Sequence, residues 1–157
     1  MFRWDAQVKN TFDHYHHVFL LRTYALVYAA LVLPLSLIMG FLDIRAGVFM
    51  AVVMLLFFAP FLTHHLLSLR EIHRNPQSYR QCDAVMKENH SGFARTVYLV
   101  LEITLPNGTT LRTQSSSVFS PGVLDRHYYG NLFGKKLHVL YDEENGRLLV
   151  QMPEENA

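Results

Sequence analysis

Two runs free of Asp, Glu, Lys and Arg constrain this chain more than any other feature. Residues 23–42 (TYALVYAALVLPLSLIMGFL) give 20 such positions between Arg22 and Asp43, and residues 46–69 (AGVFMAVVMLLFFAPFLTHHLLSL) give 24 between Arg45 and Arg70. A helix rises 1.5 Å per residue, so about 20 residues cover the roughly 30 Å hydrocarbon layer of a bilayer. Both runs reach that length. Only Asp43-Ile44-Arg45 separates them, which leaves room for nothing but a helical hairpin. Half of the 157 residues are hydrophobic and 17% are charged, with every charge outside the two runs. Pro34 and Pro60 fall inside the runs and predict kinks, which membrane helices tolerate because neighbouring groups re-satisfy the freed backbone. Ala25/Ala29 and Gly47/Ala51 are small pairs four residues apart, a spacing that permits close helix contact.

The flanking charges orient the hairpin. Arg3, Lys9 and Arg22 precede the first run, Arg70, Arg74 and Arg80 follow the second, and Arg45 alone lies in the turn. The positive-inside rule then places both termini on the cytoplasmic side of the membrane. Residues 1–20 carry Asp5, Asp13 and three histidines without an apolar core, so they do not read as a signal peptide. Trp4, Val8, Phe12, Tyr15 and Phe19 recur at helical spacing, and the expectation is an interfacial amphipathic helix over residues 1–22. Trp4, Phe12, Tyr15, Arg22 and Arg70 are its candidate membrane-interface residues.

Residues 23–72 form the expected hairpin and 73–79 a linker that ends helix at Asn75-Pro76, since the residue before proline disfavours it. Residues 80–157 turn to β texture. Strands are expected over 80–88, 95–105, 109–114, 136–141 and 147–152, with a short helix near 121–127. Asn107-Gly108 predicts a type I′ hairpin turn. Val97, Leu99, Leu101 and Ile103 would fill one face of a core and Val139, Tyr141 and Leu149 the opposing one. The expected fold class is therefore an α+β membrane protein. An N-terminal transmembrane hairpin precedes a small all-β, barrel-like domain of SH3-like or OB-like type.

The segments Leu105-Pro106-Asn107-Gly108-Thr109-Thr110 and Gly134-Lys135-Lys136-Leu137-His138-Val139-Leu140-Tyr141-Asp142 resemble those of uncharacterised bacterial two-span membrane proteins with a small C-terminal cytoplasmic β domain. In that pattern a proline-containing turn follows Tyr-Asp, whereas this chain has Glu143-Glu144-Asn145-Gly146. Gly146-Arg147-Leu148-Leu149-Val150 is similar to the last hairpin of the OB domain of NfeD-type membrane proteins. The resemblance spans at most the last 80 residues or so and implies a fold and a location; it brings no catalytic residues with it.

Net charge is +1, and from Arg70 onward ten Lys/Arg face ten Asp/Glu, so no basic face points to nucleic acid. Cys82 is the single cysteine, which excludes an intrachain disulfide or a multi-cysteine metal site. Catalysis has no motif behind it: Ser115-Ser116-Ser117 lacks a nucleophile elbow, and Asp125-Arg126-His127 lacks a third group. An enzyme is not expected. Nine histidines are many for this length. His14, His16 and His17 precede the first run and His64 and His65 end the second, so an antiparallel hairpin brings them to one side. Neutral imidazole binds transition metals and haem, which makes His14, His17, His64 and His65 candidate metal ligands against the plainer reading of interfacial polar groups. The leading functional expectation is a membrane-anchored interaction or assembly module without a cofactor, with the bilayer and a protein partner or second copy as its partners. Phe119, Tyr128, Tyr129 and Phe133 are the candidate docking aromatics. The alternative is a metal- or haem-handling membrane protein.

Overall fold

The computed structural model describes residues 5–91, 96–116, 118–119 and 133–152, with backbone alone at Ser91, Val118 and Phe119. The class is α+β: two long apolar helical segments followed by an antiparallel sheet. The chain divides into two compact units, Met1–His16 together with Ile72–Ala157, and His17–Glu71. The helical hairpin is thus an insertion between two stretches of chain that fold together.

In the β unit the strands are β1 (Arg80–Ser91), β2 (Thr96–Thr104), β3 (Thr110–Gln114), β4 (Val118–Phe119), β5 (Lys136–Asp142) and β6 (Arg147–Val150). Their order is β3-β2-β1-β5-β6, all neighbours antiparallel, with β4 pairing β2 beside β3. Among the described residues no pairing joins β3 to β6, so the sheet runs there as an open path. β1 sits in the middle, pairing β2 on one side and β5 on the other, and it alternates as a half-buried strand requires: Cys82, Ala84 and Met86 are buried and Gln81 and Asp83 exposed. Its register shifts between Met86 and Glu88, leaving Lys87 as the extra residue of a bulge.

The core gathers Met86, Leu99, Leu101, Ile103 and Val139, with Val97 packed at its margin. Leu149 departs from its expected place. Val139 pairs with Val150 and Tyr141 with Leu148, while Leu149 pairs with Leu140, so period-two alternation puts Leu149 on the other face of the sheet. That face is covered around Leu140 and Leu149, each 1% exposed, while Lys136 and His138 nearer the start of β5 are exposed.

The β2–β3 turn also differs from the expected type. Gly108 N donates to Leu105 O at 2.9 Å and Leu105 N to Thr109 O at 2.9 Å, which places Pro106 and Asn107 at the centre and Gly108 (φ 80°) after it. A type I′ turn centred on Asn107-Gly108 would ask Pro106 to donate a ladder hydrogen bond, and proline has no N–H. Pro106 instead supplies the φ that suits the second position of an ordinary turn.

The N-terminal segment is part of this unit. α1 (Ala6–Lys9) is capped by Asp5, whose carboxylate accepts from Gln7 N at 2.9 Å. The chain then breaks at Asn10-Thr11. Thr11 bridges to Gln151, Met152 N donates to Asn10 O at 2.9 Å, and the Thr11 hydroxyl accepts from His14 N as it caps α2 (Phe12–Val27). Phe12, expected at the membrane interface, is 1% exposed and lies in the core with Leu99 and Val150. The apolar stripe over Val8 and Phe12 is real. It buries against this protein's own sheet, and periodicity alone does not distinguish that from lipid.

In the hairpin unit α2 runs through a π-turn (Tyr28–Val32) into α3 (Leu33–Leu42), and after Asp43 the chain enters α4 (Ile44–Ile72). Pro34 comes two residues after the π-turn; the wider turn accommodates the hydrogen bond that proline cannot make. Pro60 lies inside an otherwise continuous α4. The turn is tighter than three residues, because the Asp43 side chain accepts from Arg45 N at 2.9 Å and lets α4 start at Ile44. Both helical segments are long and apolar enough to span a membrane, each with a mean hydropathy of 2.3 in its most apolar window. Only 11% and 6% of those windows are buried. That separates them from the core helices of a soluble domain, as do the exposed Leu26, Ile38, Phe41, Phe49, Leu56 and Leu66.

Tyr24 packs against Phe58 and Phe61, Tyr28 packs against Phe58, and the Tyr28 hydroxyl donates to Ala51 O at 3.2 Å. Gly47 is buried at the closest approach, whereas Ala25 and Ala29 are exposed and form no part of it. A Cβ at Gly47 would lie 2.6 Å from Gly40 Cα and from Ser36 O, both backbone. Gly47→Ala is therefore expected to destabilise the hairpin by about 1–3 kcal/mol, as overpacking does. Gly40→Ala, with nothing within 4 Å of the new Cβ, is the matched control. Helix signal at 222 nm during heating in detergent checks this; equal melting of the two variants contradicts the close approach.

Candidate functional site

Four of the nine histidines form two pairs. In the β unit His14, at the start of α2, meets His73, just past α4, with His14 Nδ1 3.0 Å from His73 Nε2 and the rings edge to face. Burial, reinforced by His73 and Lys9, lowers the His14 pKa to about 4. Burial also lowers that of His73, against the opposing pull of Asp5. Both rings are held neutral near pH 7. Within the hairpin His17 Nδ1 lies 2.9 Å from His65 Nδ1. His65 is 7% exposed and its ring stacks on Tyr24 at 5.9 Å and 21°. His64 is exposed, with its ring 6.5 Å from that of His17. Of the four expected ligands, His14 is thus matched with a histidine outside the expected set, while His17, His64 and His65 lie close to one another. His16 is buried.

A second polar cluster, absent from the sequence reading, lies wholly in the β unit. Asp13 is buried, accepts a short hydrogen bond from the Ser116 hydroxyl, and leaves Oδ2 without a partner among the described residues. Burial raises its pKa to about 6, against the lowering effects of Ser116, of its own backbone and of Arg147. Burial likewise pushes the Tyr79 hydroxyl up, opposed by a hydrogen bond and charge from Arg147. Asp142 accepts from Ser78 Oγ at 3.0 Å and Asn145 Nδ2 at 2.8 Å. Burial would raise its carboxyl, and these bonds with two backbone N–H groups outweigh it and hold the group below the usual range. These residues come from four separate stretches of chain, and no spacing rule joins them. The one local cue is Asp13 itself, an acid in the first turn of a helix and next in sequence to Phe12 of the apolar stripe.

The remaining candidates are scattered. Tyr15 is half-buried, and Arg22 and Arg70 are exposed. Phe133 is 65% exposed. The backbone of Phe119 pairs with Thr96 in β4. Trp4, Tyr128, Tyr129, the Asp125-Arg126-His127 triplet and the helix expected near 121–127 lie outside the described residues. Ser115 is buried and its hydroxyl accepts from Leu99 N at 2.9 Å, a bond beside β2. Cys82 is in the core, and burial raises its thiol pKa. Comparison with protein families, curated proteins and solved structures finds no match to this chain.

Proposed function

We propose that this protein is a membrane-anchored interaction or assembly module, with residues 23–42 and 46–69 spanning a bacterial inner membrane and the β unit in the cytoplasm. The observation that carries the reading is connectivity. Residues 1–16 and the chain from Ile72 onward fold as one unit, so the apolar hairpin leaves that unit and returns to it. A segment tethered at both ends to one folded body crosses a bilayer an even number of times. Two helices with exposed apolar surfaces and a one-residue turn support that count. The Lys/Arg bias at the hairpin's open end supports the cytoplasmic side.

The docking part of the reading rests on β3. Thr110, Leu111, Arg112 and Gln114 are exposed, and among the described residues no strand lies beyond them. An exposed edge of this kind accepts an added strand from a partner. The SH3-like or OB-like closure of the sheet belongs to the same proposal. Topology is tested with single cysteines at Asn107, in the exposed β2–β3 turn, and at Asp43, in the hairpin turn. In spheroplasts an impermeant thiol reagent is expected to label D43C and spare N107C, while Cys82 stays silent because it is buried. The reverse pattern overturns the orientation. In-cell crosslinking from a photoreactive residue at Leu111 is expected to trap one discrete protein species, a partner or a second copy. Absence of any crosslink from Leu111 overturns the docking edge.

A further inference from the structure

The geometry points to a transition-metal site at the open end of the hairpin, with His17 and His65 as its two fixed donors. Their facing atoms are both Nδ1, 2.9 Å apart. Two imidazole nitrogens each about 2.0–2.1 Å from one ion and about 90° apart are separated by about 2.9 Å. Opening that angle to the tetrahedral value asks for a movement of only about 0.4 Å. Without an ion, the same separation requires one ring to carry its proton on Nδ1 and donate to the other. With an ion, both rings offer lone pairs from the same kind of nitrogen.

The surroundings favour a fixed site. His65 is buried and stacked on Tyr24, which is in turn held by Phe58 and Phe61, so its ring orientation is set by packing. His17 is half-buried on α2 and faces it from the other helix. His64, the hairpin's only other histidine, is exposed, with its ring 6.5 Å from that of His17 and 5.2 Å from that of His65. A set of neutral imidazoles suits Zn²⁺, Cu²⁺, Co²⁺ or Ni²⁺ and not the oxygen-seeking Mg²⁺ or Ca²⁺. An ion there would join α2 to α4, the two helices through which the hairpin meets the rest of the chain. This goes beyond the anchor reading and does not depend on it: the thiol-labelling pattern decides the orientation whether or not metal binds.

Zn²⁺ titrated into the full-length protein in mild detergent, followed by calorimetry, tests the site. One saturable equivalent is expected, with affinity lowered at least about tenfold by His17→Gln and by His65→Gln. His138→Gln, at an exposed position on β5, is expected to bind like the unaltered chain. No saturable binding, or binding that survives in H17Q/H65Q, overturns the proposal. Because a hairpin variant could fold poorly, electron paramagnetic resonance of Cu²⁺ on the unaltered protein decides independently. Hyperfine coupling to at least two nitrogens is expected, and an oxygen-only spectrum overturns the site.

Discussion

Phe12→Ala is expected to lower the stability of the β unit by about 3–5 kcal/mol, the usual cost of removing a fully buried aromatic side chain. Phe12 is 1% exposed and shares one cluster with Met86, Leu99, Leu101, Val139 and Val150, so truncation opens a cavity at the middle of the core. The flanking bonds do not let the segment slide in to fill it. Thr11 is bridged to Gln151, and Met152 N is bonded to Asn10 O, which fixes the register on both sides of the break. A small domain has a total stability of about 5–15 kcal/mol, so the loss is a large share of the whole. Denaturant unfolding of full-length protein in detergent, read by protease resistance of the β unit, measures it. Phe41→Ala is the control, since Phe41 is 91% exposed on the hairpin and its loss should leave the β unit untouched. An interfacial role for Phe12 would give the opposite result: unchanged resistance of the β unit and weakened membrane association.

That contrast shows where the sequence is legible. The hairpin could be read directly, because charge-free runs of fixed length have few alternatives, and the exposed apolar surface of its helices follows from them. The strands were legible to within a few residues at most ends, from β-branched texture and glycine turns. What failed has a common physical cause. Val8 and Phe12 form an apolar stripe in either setting, and only the Asn10-Met152 and Thr11-Gln151 pairings decide between lipid and sheet. His14 was grouped with His17 by proximity in sequence, but its partner His73 lies beyond the whole hairpin. Asp13 and Ser116 are brought together across 103 positions, and neither residue type at its position announces the other. Local pattern reports that a face must be covered; it does not report by what.

Asp13 and His14 give the second large effect, because adjacent residues respond to pH in opposite directions. Burial raises Asp13 from 3.8 to about 6, so the folded chain holds a proton that the unfolded chain has released between those values. Its contribution is fully favourable below about pH 3.8 and is lost as pH rises through 6. The linked cost above pH 6 is about 3 kcal/mol, at roughly 1.4 kcal/mol per pKa unit, for a group shielded from solvent. His14 moves from 6.5 down to about 4, so its contribution is present above 6.5 and lost as pH falls through 4. His14 keeps solvent contact, so its effect is the smaller of the two. Between pH 4 and 6 the two slopes oppose each other, and the unaltered β unit is expected to gain only modestly on acidification. Asp13→Asn keeps an oxygen for the Ser116 hydroxyl and removes the charge. It is expected to stabilise the unit by about 1–3 kcal/mol at pH 7.5, after allowance for a buried amide that lacks a partner. Its stability should then fall as pH drops from 6.5 to 4, with the His14 slope exposed. His14→Gln should do the reverse and gain stability on acidification more steeply than the unaltered chain. Denaturation midpoints of the three proteins at pH 4, 5, 6 and 7.5 measure all of this. Parallel profiles would mean that the Asp13 carboxyl is solvated and that the N-terminal segment is not closed over it.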